Sequence, residues 1–375
     1  MKITAIRNRL MRVQRQNWHF VEVEADDGLV GVGEASLEWR ECAVAAAVDE
    51  LSRLLIGQDP NLIEHHWQRM HRHGFWRGGV ILGSAISGID QALWDLKGKR
   101  LGVPVYDLLG GPTRQRVRLY THVAGVTPEA AADHAQRLVA AGFTALKMGV
   151  PRAAAAADER ALLRATVARV EAVRRAVGEE VDLMLDNHGQ LAPGDAIELG
   201  RALAPFGLLF FEEPVPPDTP EALAKVAAAR LPLRLATGER LFTKWDYQPV
   251  LQAGLVDVAQ PDICHAGGIT ELRKIAAMAE ASYIKIAPHN PNGPVATIAS
   301  VHLAATIPNF LILEMAQQRL RDEVQRGLTI KDGWAELPRR PGLGIELDPD
   351  VVAAHPYAPG DYEPAFYSDG SVADI

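Results

Sequence analysis

Cysteine is almost missing from this chain of 375 residues; only Cys42 and Cys264 occur. Two thiols cannot make a disulfide framework or a four-thiolate zinc site. Long apolar runs are missing as well, and none reaches the roughly eighteen residues of a membrane span. The start, Met1-Lys2-Ile3-Thr4, enters a strand-like pattern without the apolar core of a secretion signal, so a cytoplasmic protein is expected. Positive charge is in deficit: 39 Lys and Arg against 47 Asp and Glu leave a net charge of −8. That balance argues against nucleic acid and other polyanions as partners. Neither a Gly-x-Ser-x-Gly elbow nor a phosphate-loop lysine motif is present. Gly31-Val32-Gly33 lacks the third glycine of a dinucleotide fingerprint. His65, His66, His71 and His73 cluster without cysteine or a His-Glu-x-x-His pattern and read as a solvated helix face. What remains suits small-molecule chemistry in a chain long enough for two structural units.

Lys2 to Arg9, Trp18 to Ala25 and Leu29 to Glu34 alternate as strands, with a turn signal at Asp26-Asp27-Gly28. Helical patterns follow at about 41–55, 60–73 and 79–99; in the last, Leu82, Ile86, Ile89, Leu93 and Leu96 recur at steps of three and four. Gly110-Gly111-Pro112 marks a boundary, so residues 1–115 read as an α+β domain. From residue 116 to 335 short apolar runs alternate with helical ones. The runs are Val117–Tyr120, Ala145–Met148, Val181–Leu185, Leu208–Phe211, Leu233–Ala236, Val256–Ala259, Ile284–Ala287 and Phe310–Leu313. Eight βα-type repeats predict an α/β fold with a closed parallel barrel. A doubly wound open sheet is the alternative, although it seldom needs eight similar repeats. The tail, 336–375, is expected to fold back on the first domain.

The strongest signal lies at the ends of these runs. Asp186, Glu212 and Glu239 stand at successive strand ends, 26 and 27 residues apart. Strand ends in a barrel converge on one mouth. One such acid would merely cap the next helix. Three together repel unless a cation sits among them, and oxygen-only ligands suit Mg²⁺. The next strands end in Asp262 and His289, a pairing that orients an imidazole and raises its basicity for use as a general base. Glu314 ends the eighth. His188 lies two residues beyond Asp186; an extended period of two would put it on the same side, opposite His289. Two imidazoles flanking one substrate allow one to take a proton and the other to give one.

These residues resemble the mandelate racemase subgroup of the enolase superfamily. The match rests on Asp186, on Glu212 in Phe211-Glu212-Glu213-Pro214, on Glu239 in Gly238-Glu239-Arg240, and on Asp262 and His289. Within the subgroup the chain is similar to the D-galactonate dehydratases. Phe75-Trp76-Arg77-Gly78-Gly79, Asp186-Asn187-His188-Gly189, Cys264-His265-Ala266-Gly267-Gly268 and Pro288-His289-Asn290-Pro291 carry that likeness, with Asp369-Gly370-Ser371-Val372-Ala373-Asp374 in the tail. The resemblance implies a modified TIM barrel, (β/α)₇β, capped by the α+β domain and completed by the tail. It implies Mg²⁺ on Asp186, Glu212 and Glu239. His289, backed by Asp262, would abstract the proton alpha to a carboxylate, and His188 would protonate the departing 3-hydroxyl. Glu314 would hydrogen-bond the substrate carboxylate. The substrate would be a sugar acid, galactonate or a related aldonate, and the product a 2-keto-3-deoxy acid. A homo-oligomer, dimer to octamer, is implied as well. Lys147, Trp18 and Arg77 join Glu314 as candidate substrate contacts, with His19 beside them. Trp18 could equally be a packing aromatic, and Arg77 a surface ion pair.

The chain departs from the family pattern in places. Lys147-Met148-Gly149 lacks the second lysine that serves as a base in many relatives. Gly149, His122 and Met315-Ala316-Gln317-Gln318 replace residues expected near the mouth, and the alanine-rich loop 151–158 offers no recognisable contact. These leave the acid–base set whole and bear on the choice of sugar. A racemase or epimerase would use the same site, and a non-catalytic sugar-acid binding barrel would keep the fold alone.

Overall fold

The computed structural model describes residues 1–151, 159–360, 364–367 and 369–373. Most of the alanine-rich loop, and Asp374 of the tail motif, lie outside the described residues. Among those described, no helix is long and apolar enough to cross a membrane.

The chain opens with an antiparallel sheet of β1 (Ile3–Val13), β2 (Gln16–Ala25) and β3 (Val30–Glu34). Gly28, at φ 84°, makes the second turn. Three helices follow: α1 (Glu41–Leu55), α2 (Ile63–Arg72) and α3 (Val80–Leu101). The glycines of β3 have a packing role. A Cβ on Gly31 would stand 2.1 Å from the Ala92 carbonyl, and one on Gly33 would stand 2.0 Å from that of Gly88. Only glycine lets α3 lie this close to the sheet. Ile86, Ile89, Leu93 and Leu96 are buried on one side of α3. Its polar residues Ser84, Ser87, Asp90, Gln91 and Asp95 are buried too, because that side meets the second domain and β3 rather than water. Two of the three histidines of α2 also leave solvent, while His65 stays exposed as expected of a solvated face. His66 is buried on the Asp59 carbonyl, and His71 stacks between Trp67 and Trp245.

After a short α4 (Val105–Leu108) comes the barrel. Its strands and helices alternate: β4 (Arg116–His122), α5 (Pro128–Ala140), β5 (Ala145–Gly149), α6 (Glu159–Val177), β6 (Asp182–Asp186) and α7 (Pro193–Leu203). Then come β7 (Phe210–Glu212), α8 (Pro220–Ala228), β8 (Leu235–Thr237), α9 (Thr243–Gln252), β9 (Val258–Ala259) and α10 (Gly268–Ala281). Last are β10 (Lys285–Ile286), α11 (Pro294–Thr306) and β11 (Leu313–Glu314). Neighbouring strands from β4 to β10 pair in parallel, Ile286 bridges to Phe310, and β11 pairs with β4. The sheet therefore closes, and each of the eight apolar runs contains or overlaps one of its strands. The doubly wound alternative is excluded.

The tail binds both units. Leu343 N–H donates to Asp95 Oδ1 at 2.7 Å, and Arg12 N–H donates to the His355 carbonyl at 2.8 Å. His302 of α11 is buried at the same junction. Its Nδ1 accepts from Tyr106 N–H (3.1 Å) and its Nε2–H donates to the Leu343 carbonyl (3.0 Å), an arrangement only the neutral ring can make. Burial lowers its pKa from 6.5 to about 4. The unfolded chain therefore takes up this proton first as pH falls. The contribution is complete above about pH 6.5 and is lost on acidification through about pH 4, on the order of 3 kcal/mol. Urea unfolding between pH 7.5 and 4 should show that decline. It should be shallower in His302→Gln though not absent, since His19 is also buried and lowered to about 4. An equal slope in the variant would contradict this assignment.

Candidate active site

Inside the barrel Tyr120, Ala145, Met184, Phe210, Ala236, Val258, Ala287 and Ile312 form a buried layer. Strand side chains repeat every second residue, so the residue two places on from each faces the mouth. Six of these are His122, Lys147, Asp186, Glu212, His289 and Glu314. On β8 the position is Gly238, and the acid arrives one residue later, at Glu239. Gly238 has φ 145°, and a Cβ there would lie 2.4 Å from Tyr247 Oη, so the chain turns where only glycine fits.

Asp186, Glu212 and Glu239 each bring one carboxylate oxygen to within 4.8 Å of the others. Among the described residues, Glu212 Oε2 and Glu239 Oε2 are buried without a hydrogen-bond partner. Lys147 Nζ reaches Glu212 Oε1 (2.9 Å), Glu314 Oε1 (2.9 Å) and Asp186 Oδ2 (3.2 Å). One ammonium faces four carboxylates. Burial raises Glu212 strongly, Asp186 adds to that, and Lys147 only partly offsets them. Burial would raise Asp186 as well, but Lys147 and His188 outweigh it and hold it low. Orphaned oxygens and an all-oxygen donor set fit a hard divalent cation.

Asp262 Oδ2 accepts from His289 Nδ1 at 2.7 Å. Asn292 Nδ2 (2.9 Å to Oδ2) and Cys264 N–H (2.6 Å to Oδ1) hold the carboxylate in place. His289 Nε2 thus points at the acid cluster, 3.4 Å from Glu239 Oε2. Burial disfavours the imidazolium, but Glu239, Glu314 and Asp262 together raise His289 well above its usual range. His188 lies two residues past the end of β6, which is four strands from β10 around a barrel of eight. Its Nε2 lies 3.0 Å from Asp186 Oδ2, and that carboxylate raises it to about 9. The route to this position is not an extended strand. His188 takes φ 50°, and its N–H donates to Asp186 Oδ1 at 2.9 Å. The Arg240 guanidinium, paired with Glu213, also donates to the His188 carbonyl at 3.0 Å.

Asp186, Glu239, His188, His289 and Arg240 line a cavity of about 860 Å³, while Glu212 and Asp262 are fully buried beside them. Lys147 and Glu314 are part of it, and His122 pairs with Glu314 at its edge. Trp18, His19 and Arg77 are not. Trp18 is 1% exposed in the sheet core, because alternation on β2 turns it inward. His19 is buried against Asn8 Oδ1 (2.7 Å), and Arg77 lies exposed on the loop before α3. The cap meets the mouth instead with Leu37, Glu38, Trp39 and Val80, which sequence reasoning missed. Leu37, Glu38 and Trp39 follow β3 in an irregular segment, where no periodicity reports facing, and Val80 is the first residue of α3. Among the described residues nothing stands within 4 Å of a Cβ placed on Gly149, which lines the cavity.

Two family models match the chain. The mandelate racemase/muconate lactonizing enzyme N-terminal domain covers residues 3–110, and the enolase C-terminal domain-like model covers residues 130–351. A D-galactonate dehydratase of Ralstonia pickettii is 44% identical, over 95% of this chain and 96% of its own. That of Pectobacterium atrosepticum is 40% identical over the whole of both. Among solved structures, an enolase from Agrobacterium radiobacter, named provisionally as a galactarate dehydratase and holding sodium and L-malate, superposes with TM-score 0.94. It is 35% identical and covers 100% of both chains.

If repulsion among these acids calls for a cation, Mg²⁺ should raise the thermal midpoint of EDTA-treated protein in a saturable way. Glu212→Gln should weaken Mg²⁺ binding by calorimetry about tenfold or more. A midpoint indifferent to Mg²⁺, or unchanged affinity in the variant, would contradict the assignment.

Proposed function

The chain belongs to the mandelate racemase/muconate lactonizing enzyme family of enolase-like proteins, and we propose that it is a Mg²⁺-dependent dehydratase of a sugar acid, galactonate or a related aldonate. The observation that carries this reading is the placement of two imidazoles on opposite sides of one acid cluster. His289 Nε2 faces the cluster from one side and His188 from the other.

Asp186, Glu212 and Glu239 would hold the ion. When bound, Mg²⁺ supplies positive charge against the doubly negative enediolate that loss of the alpha proton creates. His289 would take the C2 proton at Nε2 in its neutral form, which a cation offsetting Glu239 would favour, while Asp262 fixes the ring and stabilises the imidazolium at Nδ1. His188 gives its proton to the C3 hydroxyl, which departs as water, and the resulting enol becomes the 2-keto-3-deoxy acid. The elevated pKa of His188 suits a donor. A cation on Asp186 would reduce that carboxylate's field and bring His188 down from about 9, nearer to operating pH. Lys147 addresses the substrate carboxylate directly. Burial would raise Glu314, but Lys147 and His289 outweigh it and hold it well below the usual carboxylate range, so it would meet the substrate carboxylate through Lys147 Nζ, 2.9 Å from its Oε1, since two carboxylates present only acceptors to each other. The names of the curated relatives support the same chemistry, and the L-malate in the Agrobacterium structure is itself an α-hydroxy acid. A homo-oligomer belongs to this reading, and Phe75 and Trp76, 85% and 83% exposed, offer an apolar edge for it.

A panel of aldonates and aldarates, run with Mg²⁺ and with EDTA, should yield a semicarbazide-reactive keto acid only with metal, from galactonate or a near relative. In deuterated water His188→Asn should lose product at least about a hundredfold yet still exchange the C2 proton, whereas His289→Asn should lose both. Normal turnover by His188→Asn would remove its role. Substrate returned with C2 label and no keto acid would identify an epimerase.

A further inference from the structure

We infer that His265 is a substrate contact that determines specificity, its Nε2 accepting a hydrogen bond from a hydroxyl of the sugar chain beyond C3. The inference rests on the sugar-acid reading of the site.

His265 lies three residues beyond Asp262, on the loop between β9 and α10, and lines the cavity on the side of the cap. The cap grips this loop. A Cβ on Gly83 would stand 2.4 Å from the His265 carbonyl, so α3 rests directly on it. Ser87 Oγ accepts from Gly267 N–H (2.9 Å), and Trp67 Nε1–H donates to the Gly267 carbonyl (2.9 Å). The ring is therefore fixed in place.

Its tautomer follows from hydrogen bonding. Ser84 has one hydroxyl proton. That proton goes to the Val80 carbonyl at 2.7 Å, because a carbonyl can only accept. The 2.9 Å contact between Ser84 Oγ and His265 Nδ1 then requires Nδ1 to donate. Burial lowers the pKa of His265, which keeps the ring neutral. Nε2 is left with a bare lone pair. Its nearest charged neighbour, Asp262 Oδ2, is 3.7 Å away, outside hydrogen-bond reach, and is an acceptor as well. A lone pair beside a carboxylate attracts a donor. With the reacting carbons held between His289 and His188, the part of a sugar acid that extends toward the cap offers hydroxyls.

The test uses the Mg²⁺-loaded enzyme with D-galactonate and its 4-, 5- and 6-deoxy analogues. In the wild type, kcat/KM should fall about tenfold or more on one of these analogues. His265→Phe should lose a similar factor on galactonate and no longer distinguish that analogue from it. His265→Gln, which keeps an acceptor, should restore part of the discrimination. It also serves as the measurable variant if the phenylalanine form does not fold. A uniform loss on every substrate with the deoxy penalty intact would mean a purely structural role and would overturn the inference. So would a wild type indifferent to all the analogues. If the wild type dehydrates no aldonate, the dehydratase reading fails separately. Calorimetric Kd values for the same acids then decide the inference, and equal values for galactonate and every analogue would end it.

Discussion

Mutual repulsion among acids is the constraint around which the molecule is arranged. Asp186, Glu212 and Glu314 are almost wholly buried, Glu239 lies beside them, and Lys147 is the ammonium that touches the cluster. Unpaired buried charge is costly, on the order of several kcal/mol per ion after relaxation. One lysine ammonium does not balance four carboxylates, and a further cation would relieve the repulsion that otherwise falls on Glu212 and on the neighbouring imidazoles. The same surplus sets the state of the imidazoles on either side. His188 and His289 are both raised by carboxylates of the cluster, so whatever enters the cluster retunes the two imidazoles together.

The barrel alone does not hold this arrangement. The capping domain supplies buried polar groups that reach under the loops carrying the base. Glu34, at the end of β3, accepts from Gly293 N–H and from Ala296 N–H (2.9 Å) at the start of α11, just beyond His289 and Asn292. Asp90 Oδ2 accepts from Thr270 N–H (3.0 Å), and Gln91 donates to the Ile263 carbonyl (3.1 Å), beside Asp262. Their charge and dipoles replace the water that these backbone groups would otherwise need. Cap and barrel are thus joined through the segments that orient Asp262 and His289. A cap that shifted would disturb those residues before it disturbed Asp186, Glu212 and Glu239.

Much of this was legible in the sequence. The eight apolar runs reveal the barrel because strand alternation and helix period differ. Their last residues reveal the mouth because inward facing repeats every second residue. Asp186 and Glu212 obey that rule, and Glu239 was found by spacing although Gly238 displaces it by one. His188 was placed on the right side for a different reason, since a left-handed turn and an Asp186 hydrogen bond put it there rather than a continued strand. The cap was read less well. Trp18 and Arg77 suited a ligand by residue type, yet alternation buries the one and a loop exposes the other. Leu37, Glu38 and Trp39 sit in an irregular segment, and Val80 opens α3, where a helix period has only begun to announce which way a side chain faces. The polar residues of α3 would pass for a solvated face, because a sequence cannot show that a second domain covers it.

The most direct measurement is a crystal structure of the protein with Mn²⁺ and a non-reacting sugar acid, the ion located by anomalous scattering. One ion is predicted, bonded to oxygens of Asp186, Glu212 and Glu239 at roughly 2.0–2.4 Å. The acid's C2 should face His289 Nε2, and its C3 hydroxyl should face His188. An ion held elsewhere, or both imidazoles on the same side of the bound acid, would contradict the metal-centred reading of the site.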